Sequence, residues 1–186
     1  MPFSQLTDEE VVVAVREKNK ELYSEIVRRY QTKLAHYLRK FIIDPDQLQD
    51  VLQDVFIKAY RNLFGFNAER KFSPWIYRIA HNEALNYLKK HSREVLSLDP
   101  EEQDIVDKKI DIKEGTDKVL TKEKINKALS LLKEKYRTPL ILYFFEQMSY
   151  EEISDVLETP KSSVGVLIMR AKSQLKKNLE EKFYGK

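Results

Sequence analysis

Apolar residues recur at spacings of three and four along almost the whole of this 186-residue chain. This spacing is typical of amphipathic helices, each of which must bury its apolar stripe against a neighbour. Only four glycines occur, and Gly65 and Gly115 fall where the pattern breaks. The sequence therefore predicts an all-α fold.

Two pairs of residues have the spacing of a capping box, a reciprocal pair of hydrogen bonds at the start of a helix. Thr7 precedes Glu10 ahead of one apolar run, and Ser149 precedes Glu152 ahead of another. We therefore expect helices to begin just after Thr7 and just after Ser149.

Prolines mark three further helix boundaries. Asp44-Pro45 separates a helix predicted over about residues 21–41 from one predicted over about residues 47–63. Ser73-Pro74 and Thr138-Pro139 each offer a polar cap followed by a proline, which costs nothing at the first helical position. Each is predicted to start a helix, and the first of these is expected to end near residue 91.

Charge is distributed in blocks along the chain. Residues 58–93 carry a net charge of +6 and residues 161–186 a net charge of +5, whereas residues 94–117 carry −6. Two basic blocks on either side of an acidic segment are typical of two DNA contacts joined by a segment that avoids DNA, although solvated helix faces give similar runs. The sequence predicts two small helical domains, residues 1–93 and 119–186, joined by an acidic linker over residues 94–118.

Composition excludes several classes of protein. The chain has no cysteine, so disulfides, thiol catalysis and cysteine-ligated zinc are absent. Its first ten residues lack the basic and apolar stretch of a secretory signal, and no apolar run approaches the roughly 20 residues that span a bilayer. We expect a cytoplasmic protein without membrane insertion.

Aromatic and basic residues are interleaved over residues 64–93. Aromatic rings stack on unpaired bases and cations bind phosphates, so this interleaving suits single-stranded or melting DNA; on its own it suits an ordinary core equally well. The loop before Ser73 contains Asn67 and is suited to hold a base turned out of the stack. We expect Trp75 to be a core anchor rather than a base stacker.

The helix predicted over residues 47–63 has an unusual polar face. Asp50, Gln53 and Ile57 lie opposite its apolar stripe, and an exposed isoleucine among acidic and amide groups suits a basic groove on a protein partner. A solvated face with one stray apolar residue is the alternative.

Residues 149–176 have the pattern of a helix-turn-helix. A capped helix is followed by the turn ETPK and by a second helix predicted over residues 161–175, whose first turn is polar. Recognition helices contact bases with such early residues, although any pair of antiparallel helices shows a similar pattern.

Three motifs in this order resemble those of the extracytoplasmic-function (ECF) sigma factors of bacterial RNA polymerase. They are DQLQDVLQDVFIKAY from Asp46, FSPWIYRIAHN from Phe72 and MSYEEIS from Met148. The first has one spacing a residue longer than the family pattern. The resemblance covers most of the chain and implies a sigma factor that binds core polymerase, recognises a promoter and melts it.

The resemblance implies three groups of site residues. Docking on the polymerase largest subunit is expected of Asp46, Gln49, Asp50, Gln53, Asp54 and Ile57. Recognition and melting of the minus-ten element are expected of Phe66, Asn67, Arg70, Lys71, Tyr77, Arg78, His81, Asn82 and Lys89. Recognition of the minus-thirty-five element is expected of Ser149, Tyr150, Lys161, Ser162, Ser163, Arg170 and Lys172. The acidic linker is expected in the cationic RNA exit path, and an anti-sigma factor is an expected partner.

The sequence departs from the family pattern at two positions. The family usually has a glycine in the turn where this chain has Glu158, and a left-handed non-glycine residue costs about 1–2 kcal/mol. We therefore expect a different turn shape. The middle of the recognition helix, residues 165–169, is apolar where the family has Lys, Arg and Ser; these residues either contact a partner or join the core.

The sequence leaves two other functions to compare with a sigma factor. An enzyme is disfavoured because the three histidines are scattered, no metal-ligand spacing occurs and there is no glycine-rich phosphate loop, so no cofactor and no metal are expected. A two-domain DNA-binding regulator that acts without polymerase is the main alternative. Only a sigma factor needs the Asp50, Gln53 and Asp54 surface.

Overall fold

The computed structural model describes residues 5–17, 19–97 and 117–183, and these residues form no strand. α1 (Asp8–Glu17), α2 (Tyr23–Leu38), α3 (Pro45–Asn62) and α4 (Phe72–Ser97) make up one group of helices; the second group contains α5 (Asp117–Ser130), α6 (Glu134–Phe144), α7 (Tyr150–Leu157) and α8 (Lys161–Phe183). The predicted all-α fold is confirmed. Most of the predicted acidic linker, residues 98–116, lies outside the described residues.

Both predicted capping boxes are present. The Thr7 amide donates to Glu10 Oε2 at 2.7 Å, and the Glu10 amide donates back to Thr7 Oγ1 at 3.2 Å. At α7 the corresponding distances between Ser149 and Glu152 are 2.8 and 3.2 Å. These bonds satisfy amides that a helix start leaves without partners.

Several predicted helix ends are displaced. The Thr138-Pro139 prediction is wrong: α6 begins at Glu134, and Pro139 lies inside the helix. Thr138 Oγ1 donates to Glu134 Oε1 at 2.9 Å, one turn back, and both Thr138 and Pro139 are buried. A proline here removes the hydrogen bond to the Lys135 carbonyl, but helix packing retains the turn. α4 extends past residue 91 to Ser97, and α8 extends to Phe183.

The first domain has an aromatic core. Phe72, at the start of α4, is fully buried and lies with its ring centroid 5.5 Å from Tyr30 and 5.4 Å from Phe66. Trp75 packs at 5.2 Å from Phe66 and 5.3 Å from Phe72. Such edge-to-face and tilted ring contacts add to the hydrophobic stabilisation and fix the loop between α3 and α4.

The second domain is organised around α8. Val164, Ile168 and Ala171 form its buried face, against which α5, α6 and α7 pack. The expectation of a different turn before α8 is wrong: Glu158 has φ 50° and ψ 40° and keeps the left-handed conformation. Gly165 lets the Tyr150 ring lie against α8, since a Cβ there would be 3.3 Å from Tyr150 Cε2.

The two domains contact each other, chiefly through α4 and α7. Lys40 Nζ donates to Asn126 Oδ1 at 3.0 Å and lies 4.5 Å from the Phe145 ring centroid. The Arg137 guanidinium lies 5.0 Å from the Phe41 ring centroid. Cations on aromatic faces and ion pairs are therefore prominent in this contact.

Candidate functional sites

The acidic face of α3 is exposed to solvent. The predicted polymerase-binding residues all lie on the exposed side of this helix: Asp46, Gln49, Asp50, Gln53, Asp54 and Ile57. The side chain of Ile57 is 39% exposed, whereas Leu48, Val51 and Val55 on the opposite side are buried. Within the described part of the chain, no ion pair neutralises Asp46, Asp50 or Asp54. The face therefore combines unpaired negative charge with an accessible apolar side chain.

A cavity of about 360 Å³ lies between the α3–α4 loop and the start of α4. Its walls hold aromatic rings and the cations Arg70, Lys71 and Arg78, with Asp155 of α7 at one side. Asn67 shapes the loop, because its Oδ1 accepts from the Glu69 amide at 3.0 Å. An aromatic wall beside three cations is suited to a base and its phosphate.

Trp75 has two roles in this geometry. One side packs on Phe66 and Phe72, as a core anchor would, and the indole also lines the cavity. From the sequence these roles are alternatives, because sequence pattern does not show that one side of a half-buried ring packs on the core while the other side lines a cavity.

The structure buries three residues that the sequence predicted to face DNA. Phe66, Tyr77 and His81 are 5%, 2% and 6% exposed, respectively. Phe66 is enclosed by aromatic rings of its own domain, Tyr77 donates its hydroxyl to Glu146 of α6, and His81 Nδ1 lies 3.1 Å from the Tyr37 hydroxyl. In this arrangement their side chains are covered, whereas Asn67, Arg70, Asn82 and Lys89 are exposed.

Two predicted DNA-binding cations form ion pairs across the domain contact. Lys71 Nζ lies 2.8 Å from Glu152 Oε1, and Arg78 Nη1 lies 3.3 Å from Glu158 Oε1. Burial alone would raise the pKa of Glu152, but hydrogen bonds from Lys71 and Ser149 outweigh it and lower that pKa. Burial raises the pKa of Glu146 despite the hydrogen bond from Tyr77. The contact thus places carboxylates on a basic surface.

The helix-turn-helix presents its predicted residues unevenly. Ser149, Tyr150, Lys161, Ser162, Arg170 and Lys172 are exposed, and Ser163 is half-buried. Lys161 Nζ lies 3.3 Å from Glu151 Oε2, and Lys172 Nζ lies 4.8 Å from the Phe144 ring centroid. The Ser149 hydroxyl oxygen accepts the capping-box hydrogen bond from the Glu152 amide.

The apolar middle of α8 divides between core and surface. Val164 and Ile168 are buried, whereas Val166 is 41% and Met169 is 63% exposed. Of the two alternatives, packing in the core applies to Ile168, whereas Val166 and Met169 are accessible to a partner.

Arg16 supports the candidate site, and the sequence did not indicate it. Its Nε donates to the Leu63 carbonyl at 2.8 Å, and its terminal nitrogen donates to the Leu63 and Phe66 carbonyls. It thereby fixes the loop that forms the cavity. No local pattern could have shown this, because the partners lie about 50 residues away.

Among the residues that the structure describes, no three His, Asp or Glu side chains are close enough together to hold a metal ion. No helix in the described ranges has both the length and the apolar character needed to cross a membrane.

Comparison with known proteins decides the family. The model of sigma-70 region 2 matches residues 26–94, and the model of sigma-70 region 4 matches residues 122–175. The chain is 32% identical over 184 residues to the ECF RNA polymerase sigma-E factor of Haemophilus influenzae, covering 95% of this chain and 97% of the relative. The chain belongs to the ECF family of RNA polymerase sigma factors. It serves promoter recognition and transcription initiation.

Other sigma factors are similar in sequence to this one over nearly their full lengths. It is 32% identical to RNA polymerase sigma-H factor of Pseudomonas aeruginosa, over 95% of this chain and 96% of the relative. It is 31% identical to the ECF sigma-E factor of Escherichia coli K12, over 92% and 93%. The solved structure of CnrH with the cytosolic domain of CnrY shares the fold, with a TM-score of 0.70, 23% identity and coverage of 94% of this chain and 98% of that one.

Proposed function

We propose that this sigma factor docks on core polymerase through the acidic face of α3. The face is exposed along its length, carries unpaired carboxylates and includes the apolar Ile57. The negative charge of the carboxylates attracts a basic groove at long range. Burial of the Ile57 side chain on docking then stabilises the complex. This face is the single observation that carries the polymerase-dependent function, since a free-standing DNA-binding regulator has no use for it.

The minus-ten element is proposed to bind the α3–α4 loop and the exposed side of α4. The cavity beside Trp75 holds one base turned out of the stack, while Arg70, Lys71 and Arg78 bind the flanking phosphates. Stacking and phosphate contacts offset an unstacking cost of a few kcal/mol. Promoter opening then requires binding energy alone, and no covalent chemistry is assigned to the chain.

The minus-thirty-five element is proposed to bind the helix-turn-helix. The start of α8 enters the major groove with Lys161, Ser162 and Ser163, while Arg170 and Lys172 contact phosphates. We place this activity in the cytoplasm with the polymerase, and the acidic linker in the RNA exit path.

An anti-sigma factor is the proposed regulatory partner. The solved structure of RpoE with the anti-sigma factor NepR from Bartonella quintana shares the fold, with a TM-score of 0.69, 20% identity and coverage of 86% of this chain and 98% of that one. The existence of such complexes in this fold supports the proposal.

Charge reversal on α3 tests the function. The double variant Asp50→Lys/Gln53→Lys should lose co-purification with core polymerase and run-off transcription, because it repels the basic groove. Glu21→Lys/Gln31→Lys changes the charge equally at exposed positions on other elements and should retain both activities. Circular dichroism should show the same helix content for both variants.

The opposite result distinguishes the alternative function. If the α3 variant still binds a defined DNA site and still regulates transcription without association with polymerase, the chain acts as a free-standing regulator.

A further inference from the structure

Two aromatic rings and one cation share an exposed surface at the end of α3. Phe64 is 64% exposed and Tyr60 is 37% exposed, and Arg61 beside them is exposed as well. α3 continues directly into a one-turn 3-10 helix, Leu63–Gly65, so residues three and four apart lie on the same side of the chain. We name Tyr60, Arg61 and Phe64 the Phe64 patch.

The fold holds the Phe64 ring in a fixed position. Its neighbours Leu63 and Phe66 are buried, and the Phe66 amide donates to the Leu63 carbonyl at 3.2 Å. Arg16 donates to the carbonyls of both neighbours. A single exposed apolar side chain is ordinary on a protein surface. A ring that is fixed in solvent beside a second ring and a cation has instead the character of a contact surface.

The Tyr60 ring is supported from α2. Its centroid lies 4.9 Å from that of Tyr23 in an edge-to-face contact. The Tyr23 hydroxyl in turn donates to the Phe56 carbonyl of α3 at 2.7 Å. The Phe64 patch therefore rests on two helices and is not a mobile edge of the loop.

The charge of α3 changes sign along its exposed face. Residues 46–54 include three aspartates, whereas Lys58 and Arg61 follow them. Lys58 pairs with Glu83 at 2.6 Å, but within the described ranges no carboxylate pairs with Arg61. The basic groove proposed to receive the acidic half would repel this cation. The Phe64 patch therefore suits an anionic partner.

The patch adjoins the base cavity through Gly65. This residue follows Phe64 in the 3-10 helix and also lines the cavity. A Cβ at Gly65 would meet no atom within 4 Å, so the space beside it is open. A strand with one base in the cavity therefore has an open path across Gly65 to the Phe64 ring.

We propose that the Phe64 patch is a second nucleotide site for the unpaired strand of the promoter. The Phe64 ring stacks on the base next to the one held in the cavity, and Arg61 binds a phosphate of the same strand. Aromatic rings stack on bases of any sequence, and cations beside them bind the backbone. The inference rests on the proposed minus-ten role of the α3–α4 loop, and the family resemblance assigns no site role to Phe64 or Arg61.

The second site acts on the equilibrium between closed and open promoter. A paired base is already stacked on its neighbours in the duplex, so the Phe64 ring gains a partner only after the strands separate. Stacking on Phe64 therefore stabilises melted DNA selectively, and it does so without reading the sequence.

Abasic nucleotides test the stacking contact, because each removes one base and keeps its phosphate. The holoenzyme is bound to a promoter whose minus-ten element is already unpaired, with one abasic position at a time in the unpaired strand. Wild-type binding should weaken at two neighbouring positions, one for the cavity and one for Phe64. The Phe64→Ala variant should bind the intact probe roughly five- to a hundredfold more weakly and should be sensitive at only one of these positions.

Conservative variants separate a flat ring from a merely apolar surface. Phe64→Tyr keeps the ring and should retain wild-type binding, whereas Phe64→Leu lacks a flat face and should bind the probe nearly as weakly as Phe64→Ala. Ile43→Ala removes another exposed side chain of the first domain, 85% exposed, and should leave binding unchanged. Circular dichroism should show the same helix content in all four variants.

Arg61→Gln tests the phosphate contact separately. It should reduce the slope of log affinity against log salt concentration by about 0.7, the contribution of one phosphate on a single strand. Sensitivity to both abasic positions should remain, since the Phe64 ring is retained. An unchanged slope would show that Arg61 binds no phosphate.

Two results would overturn the inference as a whole. Equal abasic sensitivity of wild type and Phe64→Ala at every position would show that the ring stacks on no base. Weaker binding of core polymerase by Phe64→Ala in the absence of DNA, restored in Phe64→Leu, would assign the patch to a polymerase contact. Wild-type insensitivity at every position would refute the proposed role of the cavity itself.

Discussion

Arg16 shows how a single residue distant in sequence shapes the loop between α3 and α4. Its guanidinium donates to the Leu63 and Phe66 carbonyls and lies 6.0 Å from the Phe66 ring centroid. A planar fork of donors can satisfy two carbonyls at once, which a lysine ammonium cannot do in the same geometry. The loop therefore depends on arginine specifically.

The variant Arg16→Lys should lose about 1–3 kcal/mol of stability, because it leaves a partly buried carbonyl without a donor. Thermal unfolding followed by circular dichroism measures the loss. Arg28→Lys is the control, since Arg28 pairs with Glu25 at the surface and its replacement should leave the Tm almost unchanged. Equal effects at the two positions would contradict a special role for Arg16.

His81 makes stability depend on pH. Burial lowers the pKa of His81 below its ordinary value, and the nearby Glu134 opposes this shift only in part. The native state therefore binds fewer protons than the unfolded chain as pH falls below about 6.5, so stability declines there. The Tm should fall between pH 7.5 and pH 5.5, and His81→Gln should show a smaller fall. An identical fall in both proteins would assign the pH dependence to other groups.

At the scale of the element, the turn between α7 and α8 keeps its shape against local preference. Glu158 adopts φ 50° without the glycine that this conformation favours, and the Thr159 amide donates to the Ser154 carbonyl at 3.2 Å. The packing of α7 and α8 therefore selects the left-handed turn and offsets its cost.

Substitution Glu158→Gly should stabilise the second domain by up to about 1 kcal/mol, because glycine has no steric penalty in the left-handed region. Urea unfolding measures the change. Glu158→Ala also removes the carboxylate but keeps a Cβ, so it should give no gain. Equal stabilisation by alanine would show that charge, rather than backbone conformation, disfavours glutamate here.

At the scale of the whole molecule, the buried residues of the two domains belong to one connected hydrophobic cluster, and exposed ion pairs lie at the edge of the contact between the domains. Ile76 is buried in the first domain and Ile153 in the second. The one tryptophan, Trp75, packs on Phe66 and Phe72 of the first domain, so its fluorescence reports mainly on the unfolding of that domain. Ion pairs with exposed partners couple domains only weakly.

Ile153→Ala should destabilise the second domain by about 2–5 kcal/mol through a cavity in its core. In urea, part of the helix content should be lost at lower concentration than in the wild type. The free energy of unfolding obtained from Trp75 fluorescence should change by less than about 1 kcal/mol. Ile76→Ala is the converse control and should move the fluorescence transition. Parallel shifts of both signals in the Ile153 variant would show that the two domains unfold as one unit.

The sequence alone determined the helical class, both capping boxes, the exposed face of α3 and the family. These features depend on residues within one or two turns of each other, and helical periodicity encodes them directly. Prediction from the sequence failed where tertiary packing overrides local conformational preference, as with Pro139 inside α6 and Glu158 in a left-handed turn.

Only the tertiary structure decided which basic residues face carboxylates and which aromatic residues are buried. Tyr77 meets Glu146 and Lys71 meets Glu152 across 69 and 81 residues of chain. A helical pattern specifies the face on which a side chain lies but not what will cover that face. For Tyr77, Lys71 and Arg78 the second domain supplies that cover, through apolar packing and ion pairs that exist only once folding has formed both surfaces.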